Sequence, residues 1–103
     1  MTSVTFTREA PSHHEDGPSY SVEADGEFQG EIKAETDRDL LTDRHVIFAY
    51  IVDLLDHQPM AFSVLRLYRN WDRGGVERSG EYKTARKALA AAKAYARKLL
   101  GDG

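Results

Sequence analysis

The chain has 103 residues, of which 41% are apolar and 30% charged, with a net charge of −3; this length holds one core, and this balance excludes a disordered chain. The absence of cysteine removes disulfides, thiolate metal sites and cysteine nucleophiles. The longest apolar run, Val46 to Val52, is far short of a membrane span, and the Met1 end lacks the segments of a secretory signal, so a cytoplasmic protein without membrane contact is expected.

Val4 to Arg8 alternates apolar and polar residues, which reads as a short strand with Val4 and Phe6 turned inward. Residues 11–18 (PSHHEDGP) are polar and turn-rich and are expected to form an exposed loop. From Tyr20 to Ile32 the pattern predicts a hairpin. Asp25-Gly26 supplies the positive φ angles of a tight two-residue turn, Tyr20, Val22 and Ala24 share one face before it, and Phe28 and Ile32 alternate after it. Gly30 interrupts the second strand and predicts a bulge or a close backbone approach.

Residues 34–45 (AETDRDLLTDRH) are charged and read as a connection with one helical turn at Asp39 to Thr42. Val46 to Leu55 is apolar everywhere except Asp53, so its period alone leaves strand and helix open. Its β-branched and aromatic side chains favour a strand over Val46 to Val52, against a helix capped by Thr42 or Asp43 and running to His57. Met60 to Tyr68 reads as a further strand, Asn70 to Gly75 as a break, and Val76 to Tyr82 as a last short strand.

The C-terminal helix is the clearest element. Thr84 is its expected N-cap, residues 85–100 contain no Gly, Pro or β-branched residue, and Gly101 is a natural stop. At 100° per residue, Ala85, Ala88, Leu89, Ala92, Tyr95, Ala96 and Leu99 fall on one side. Arg86, Lys93 and Arg97 form a polar stripe, with Lys87 and Lys98 on another flank. The expected fold is therefore α+β in a single domain over residues 1–103. An antiparallel sheet of four to six strands carries the helix of residues 84–100 across one face. Its expected core is Phe6, Tyr20, Val22, Phe28, Ile32, Ile47, Ala49, Ile51, Phe62, Val64, Leu89, Ala92, Tyr95 and Leu99.

The small net charge hides an asymmetry. Residues 1–60 hold 13 Asp/Glu against 4 Lys/Arg, a balance of −9; residues 61–103 hold 4 against 10, a balance of +6. In the acidic half, Glu23, Asp25, Glu27 and Glu31 occupy alternate hairpin positions and are expected to line up opposite the apolar set. Such a carboxylate row fits a basic groove on another protein and imitates the phosphates of a nucleic acid. Small inhibitor proteins of viruses and mobile elements, anti-CRISPR proteins among them, are similar in size and charge and often work in this way. The leading expectation is thus a non-catalytic protein-binding or inhibitory module.

The basic half supports an alternative, in which Arg86, Lys93, Arg97 and Trp71 meet phosphates and bases. Gly80-Glu81-Tyr82-Lys83-Thr84 followed by an alanine-rich helix resembles the last strand and helix of double-stranded-RNA-binding domains. It is also similar to the sheet-plus-helix DNA-binding domains at the amino end of tyrosine recombinases. Both resemblances span about the last thirty residues and imply nucleic-acid binding. The chain departs from the RNA-binding pattern in having Lys83 and Thr84 where that family has paired lysines, and in lacking its amino-terminal helix, so it is placed in neither family.

His13-His14-Glu15-Asp16 holds ligand types suited to zinc, but adjacent side chains diverge and no metal or other cofactor is expected. His45 and His57 are the only groups to which proton transfer could be assigned, and neither has a partner at a telling spacing. No serine sits in a nucleophile elbow, and no phosphate-binding glycine motif occurs, so no catalytic residue is expected. The strand at residues 4–8, if at an edge, offers a surface for pairing two copies into a homodimer.

Overall fold

The computed structural model describes residues 2–11, 17–40, 42–70, 72 and 74–101, with the backbone alone for 68–70. Among the described residues seven strands, β1 (Val4–Glu9), β2 (Ser19–Ala24), β3 (Glu27–Arg38), β4 (His45–Leu54), β5 (Met60–Ser63), β6 (Arg66–Asn70) and β7 (Gly75–Ser79), precede one helix, α1 (Ala85–Leu100). Strands β1 to β5 form an antiparallel meander in chain order, and β6 and β7 form a separate two-stranded ribbon. The helix packs on β4 and β5, which makes the fold α+β.

Local chemistry explains the register. Asp25 (φ 52°) and Gly26 (φ 83°) make the turn between β2 and β3. Val22 pairs with Gly30 but Glu23 pairs with Phe28, so Gln29 is left over as a bulge. Gly30 sits at φ 136°, and a Cβ there would overlap the Asp53 carbonyl oxygen on β4, so the chain needs glycine at this crossing. A second bulge falls on Phe48, between the pairs Glu35–Ala49 and Thr36–Ile47.

These two bulges correct three sequence expectations. Phe28 is not core: the Gln29 bulge turns it to the uncovered face, where it is 56% exposed. On β4 the residues facing the helix are Tyr50, Val52 and Leu54, all nearly inaccessible, and Ile51 lies on the other face. Ala49 is also buried, yet it stands outside the core cluster, whereas Ile47 packs against that cluster. The extra residue at Phe48 is what lets Ile47 and Tyr50 share a face.

Residues 34–38 are not a connection but the outer part of the long strand β3. The turn that follows is closed by the Asp39 carboxylate, which accepts from the Thr42 N–H at 3.2 Å and the Thr42 hydroxyl at 2.9 Å. The expected strand at Met60 to Tyr68 is two strands in different sheets, and the last strand ends at Ser79, not Tyr82. The stretch Gly80 to Thr84 contributes only the parallel bridge between Val64 and Tyr82 before the helix begins. The loop over 11–18 is described only at its ends, where Gly17 lies against Ala34, Thr36 and Ile47.

The helix has the caps expected of it. Thr84 is extended and its hydroxyl oxygen accepts from the Lys87 N–H; Gly101 at φ 78° donates to the carbonyls of Arg97 and Lys98. Ala88, Ala92 and Ala96 are wholly buried, and Leu89, Tyr95 and Leu99 pack beside them on Phe62, Val52, Ile32 and Val22. Three alanines in line bring the helix backbone close to the sheet, and Tyr95 and Tyr82 close one side against the Phe62 ring at centroid separations of 5.5 and 6.2 Å.

Candidate functional site

Strand alternation sorts charge to the two faces of the five-stranded sheet. On the uncovered face the register brings together Glu9, Glu23, Glu31, Glu35 and Asp53, with Lys33 as the cation among them. Lys33 Nζ lies 3.3 Å from Glu31 and 3.6 Å from Asp53, and all three side chains are about half exposed. The Glu31 hydrogen bond, followed by its charge, holds the Lys33 ammonium above its ordinary pKa. Glu9 accepts a short hydrogen bond from the Ser21 hydroxyl across β1 and β2. Where β2–β3 and β4 end, Phe28 and Leu55 are each 56% exposed, and the Leu55 N–H donates to the Gln29 carbonyl.

Of the four acidic residues singled out by sequence, Glu23 and Glu31 stand on this face. Glu27 does not, because it pairs with Ala24 beyond the Gln29 bulge. Asp25 sits in the turn, where its carboxylate accepts from the Ser3 N–H at 2.8 Å and its own N–H donates to the Ser3 carbonyl at 2.9 Å. Its role is to tie the start of β1 to the hairpin. Glu9 and Asp53 were missed from sequence, and Glu35, one of the acids of the same half, was left out of the four. Glu35 shares the parity of Glu31 and was legible in principle; Asp53 needed the correct phase of β4.

The covered face carries the opposite sign. Lys93 and Arg97 lie on the flank of the helix that looks towards β1 and β2, and Arg86 is on the same stripe two turns earlier. Lys93 Nζ lies 4.8 Å from the Tyr20 ring centroid and 5.6 Å from that of Phe6, and Arg97 Cζ lies 5.0 Å from Phe6. Arg8 stands opposite Tyr20 in the β1–β2 register, on the same face. Tyr50, two strands further in, has its hydroxyl pKa raised by burial and by Tyr20, while Arg8 works against the rise. Nothing local in the sequence foretells that Arg8, Phe6 and Tyr20 join the helix cations, since strand order sets that meeting. Trp71 lies outside the described residues, as do His13, His14, Glu15 and Asp16.

Where the ribbon meets the sheet there is an open depression of about 300 Å³ lined by Phe48, Ser63, Val64, Arg66, Ser79 and Gly80. Arg66 lies 4.6 Å over the Phe48 ring and pairs with Asp37 at 3.3 Å. The Arg38 N–H, donated at 2.7 Å, is the main cause that holds the Asp37 carboxyl below its ordinary value, with Arg66 adding to it. His45 begins β4 and His57 lies beyond its end, so a ten-residue strand of roughly 30 Å separates them. Among the described residues no three His, Asp or Glu side chains converge as metal ligands, and no helix is long and apolar enough to cross a membrane. No protein-family model, curated protein or solved structure matches the chain.

Proposed function

We propose that the chain is a small non-catalytic protein-binding module whose contact surface is the uncovered face of the sheet. The observation that carries this reading is the presence of Glu9, Glu23, Glu31, Glu35 and Asp53, with Lys33 between Glu31 and Asp53, on a face over which no helix or strand packs among the described residues. Carboxylates spread over a flat sheet complement a basic groove and speed encounter with it by long-range attraction. The half-exposed Phe28 and Leu55 beside them supply the apolar contact that interfaces need at their centre. The partner that fits is a protein whose own groove holds nucleic acid, with this face taking the place of the phosphates. An inhibitor of such a protein, carried by a virus or mobile element, is the biological setting in which this chemistry is useful.

The test is competition. A panel of basic nucleic-acid-binding proteins is loaded with labelled oligonucleotide and titrated with the chain at low and high salt. Displacement that weakens at least tenfold with Glu31→Lys plus Glu35→Lys, and again on adding salt, supports the reading. A displacement that ignores both changes, or none from any member of the panel, overturns it.

A further inference from the structure

The opposite face of the sheet carries a second site. Because α1 packs mainly over β4 and β5, the helix side of β1 and β2 is closed at Val4 and Val22 but left as a shelf at Phe6, Arg8 and Tyr20, where Phe6 and Tyr20 are only partly buried. Lys93 and Arg97 form the helix wall of the shelf, stacked over those rings, and Arg8 stands on its floor across from Tyr20. Arg86, seven residues before Lys93, prolongs the wall on the same stripe, so the cations extend over about 16 Å of helix.

Neither β1 nor β2 turns an acid to this shelf, and Glu27 of β3, opposite Ala24, stands at its hairpin end. The residues of β1 and β2 that face the helix are Val4, Phe6, Arg8, Tyr20, Val22 and Ala24. The carboxylates of the same two strands, Glu9 and Glu23, point to the other side by alternation. Stacking on rings holds a cation in place without neutralising it, which leaves the N–H donors of Lys93 available to an anion.

We propose that this shelf binds single-stranded nucleic acid, with Arg86, Lys93, Arg97 and Arg8 along the phosphates and the exposed edges of Phe6 and Tyr20 against the bases. A cationic wall beside aromatic rings is the arrangement by which single strands are held without sequence readout. A single strand fits better than a duplex. The rings lie on the floor below the helix, where unpaired bases reach them and the paired bases inside a duplex do not. The site is separate from the carboxylate face and stands whether or not that face binds a protein.

The test uses the full chain and a fluorescent oligothymidylate of about fifteen nucleotides, followed by anisotropy across a salt series. Four cations on phosphates give a log–log salt slope of about −2 to −3. Lys93→Glu with Arg97→Glu weakens binding more than tenfold, whereas Lys93→Arg retains it; Phe6→Leu weakens it by about threefold to tenfold at an unchanged slope. Circular dichroism of each variant checks that the helix persists. Glu31→Lys with Glu35→Lys on the other face leaves this affinity undiminished, which separates a failure here from a failure of the protein-binding reading. Equal or tighter binding of a duplex, binding only to anionic vesicles, or an affinity indifferent to Lys93→Glu would each overturn the proposal.

Discussion

Ile32 and Glu31 are neighbours on β3 and stand in different chemical surroundings. Ile32 has no accessible surface and is enclosed by the helix and its strand partners. Glu31, one residue earlier, has a side chain 39% exposed and pairs with the ammonium of Lys33. On the covered face, shape decides what a position tolerates; on the uncovered face, charge does. The comparison teaches that a single layer of helix is enough to give one sheet two different surfaces, one closed over apolar side chains and the other open with charged ones.

Ile32→Ala tests the comparison with the largest effect, a loss of about 3 to 4 kcal/mol in urea unfolding. The matching change on the open side, Ile51→Ala, removes about 1 kcal/mol. Equal losses would mean that both faces are covered and would break the distinction. Ala92→Leu, which forces three carbons between helix and sheet, costs about 2 kcal/mol by overpacking, although leucine is an equally good helix former. Thr84→Ala removes the helix cap and about 1 kcal/mol, read as a lower melting temperature.

Glu31→Gln is expected to change stability by less than about 0.5 kcal/mol, since exposed pairs contribute little, yet to bring the Lys33 amine back down towards its ordinary pKa in an NMR titration. Asp37 gives the smallest signal. A carboxyl held below its ordinary value favours the fold above that value and loses the benefit as pH falls through its folded pKa. Arg66→Gln moves the Asp37 midpoint upward only part of the way, because the Arg38 N–H still donates to it. A full return to the ordinary value would show that Arg66, not the backbone, governs that carboxylate.

The elements with strong local chemistry were legible in the sequence. Asp25-Gly26 predicts its turn, Thr84 and Gly101 delimit the helix, and the β-branched run of residues 46–52 identifies β4 as a strand. What escaped was phase. Two bulges, at Gln29 and Phe48, each shift alternation by one, and nothing local marks Phe48 as the extra residue in a run that is apolar on both sides. That shift moved Phe28 and Ile51 off the core, and it hid Asp53 from the acidic set. The full length of β3 was missed because its outer part, Glu35 to Arg38, is polar and gains strand geometry by pairing with β4 rather than by burial. The helix alanines were correctly assigned because no strand register intervenes.

The short crossing at Gly80 has a consequence for how copies of this chain meet. The N–H groups of Glu81 and Tyr82 both donate to the Ser63 carbonyl, at 3.1 and 3.0 Å, and the Leu65 N–H donates back to the Tyr82 carbonyl at 2.8 Å. Gly80 makes this approach possible, since any side chain there would overlap the Val64 carbonyl. The Ser63 end of the β5 margin is therefore already met by the chain itself, whereas among the described residues no strand pairs with the outer side of β1. An incoming strand would find fewer unmet backbone groups beside Ser63 than along β1.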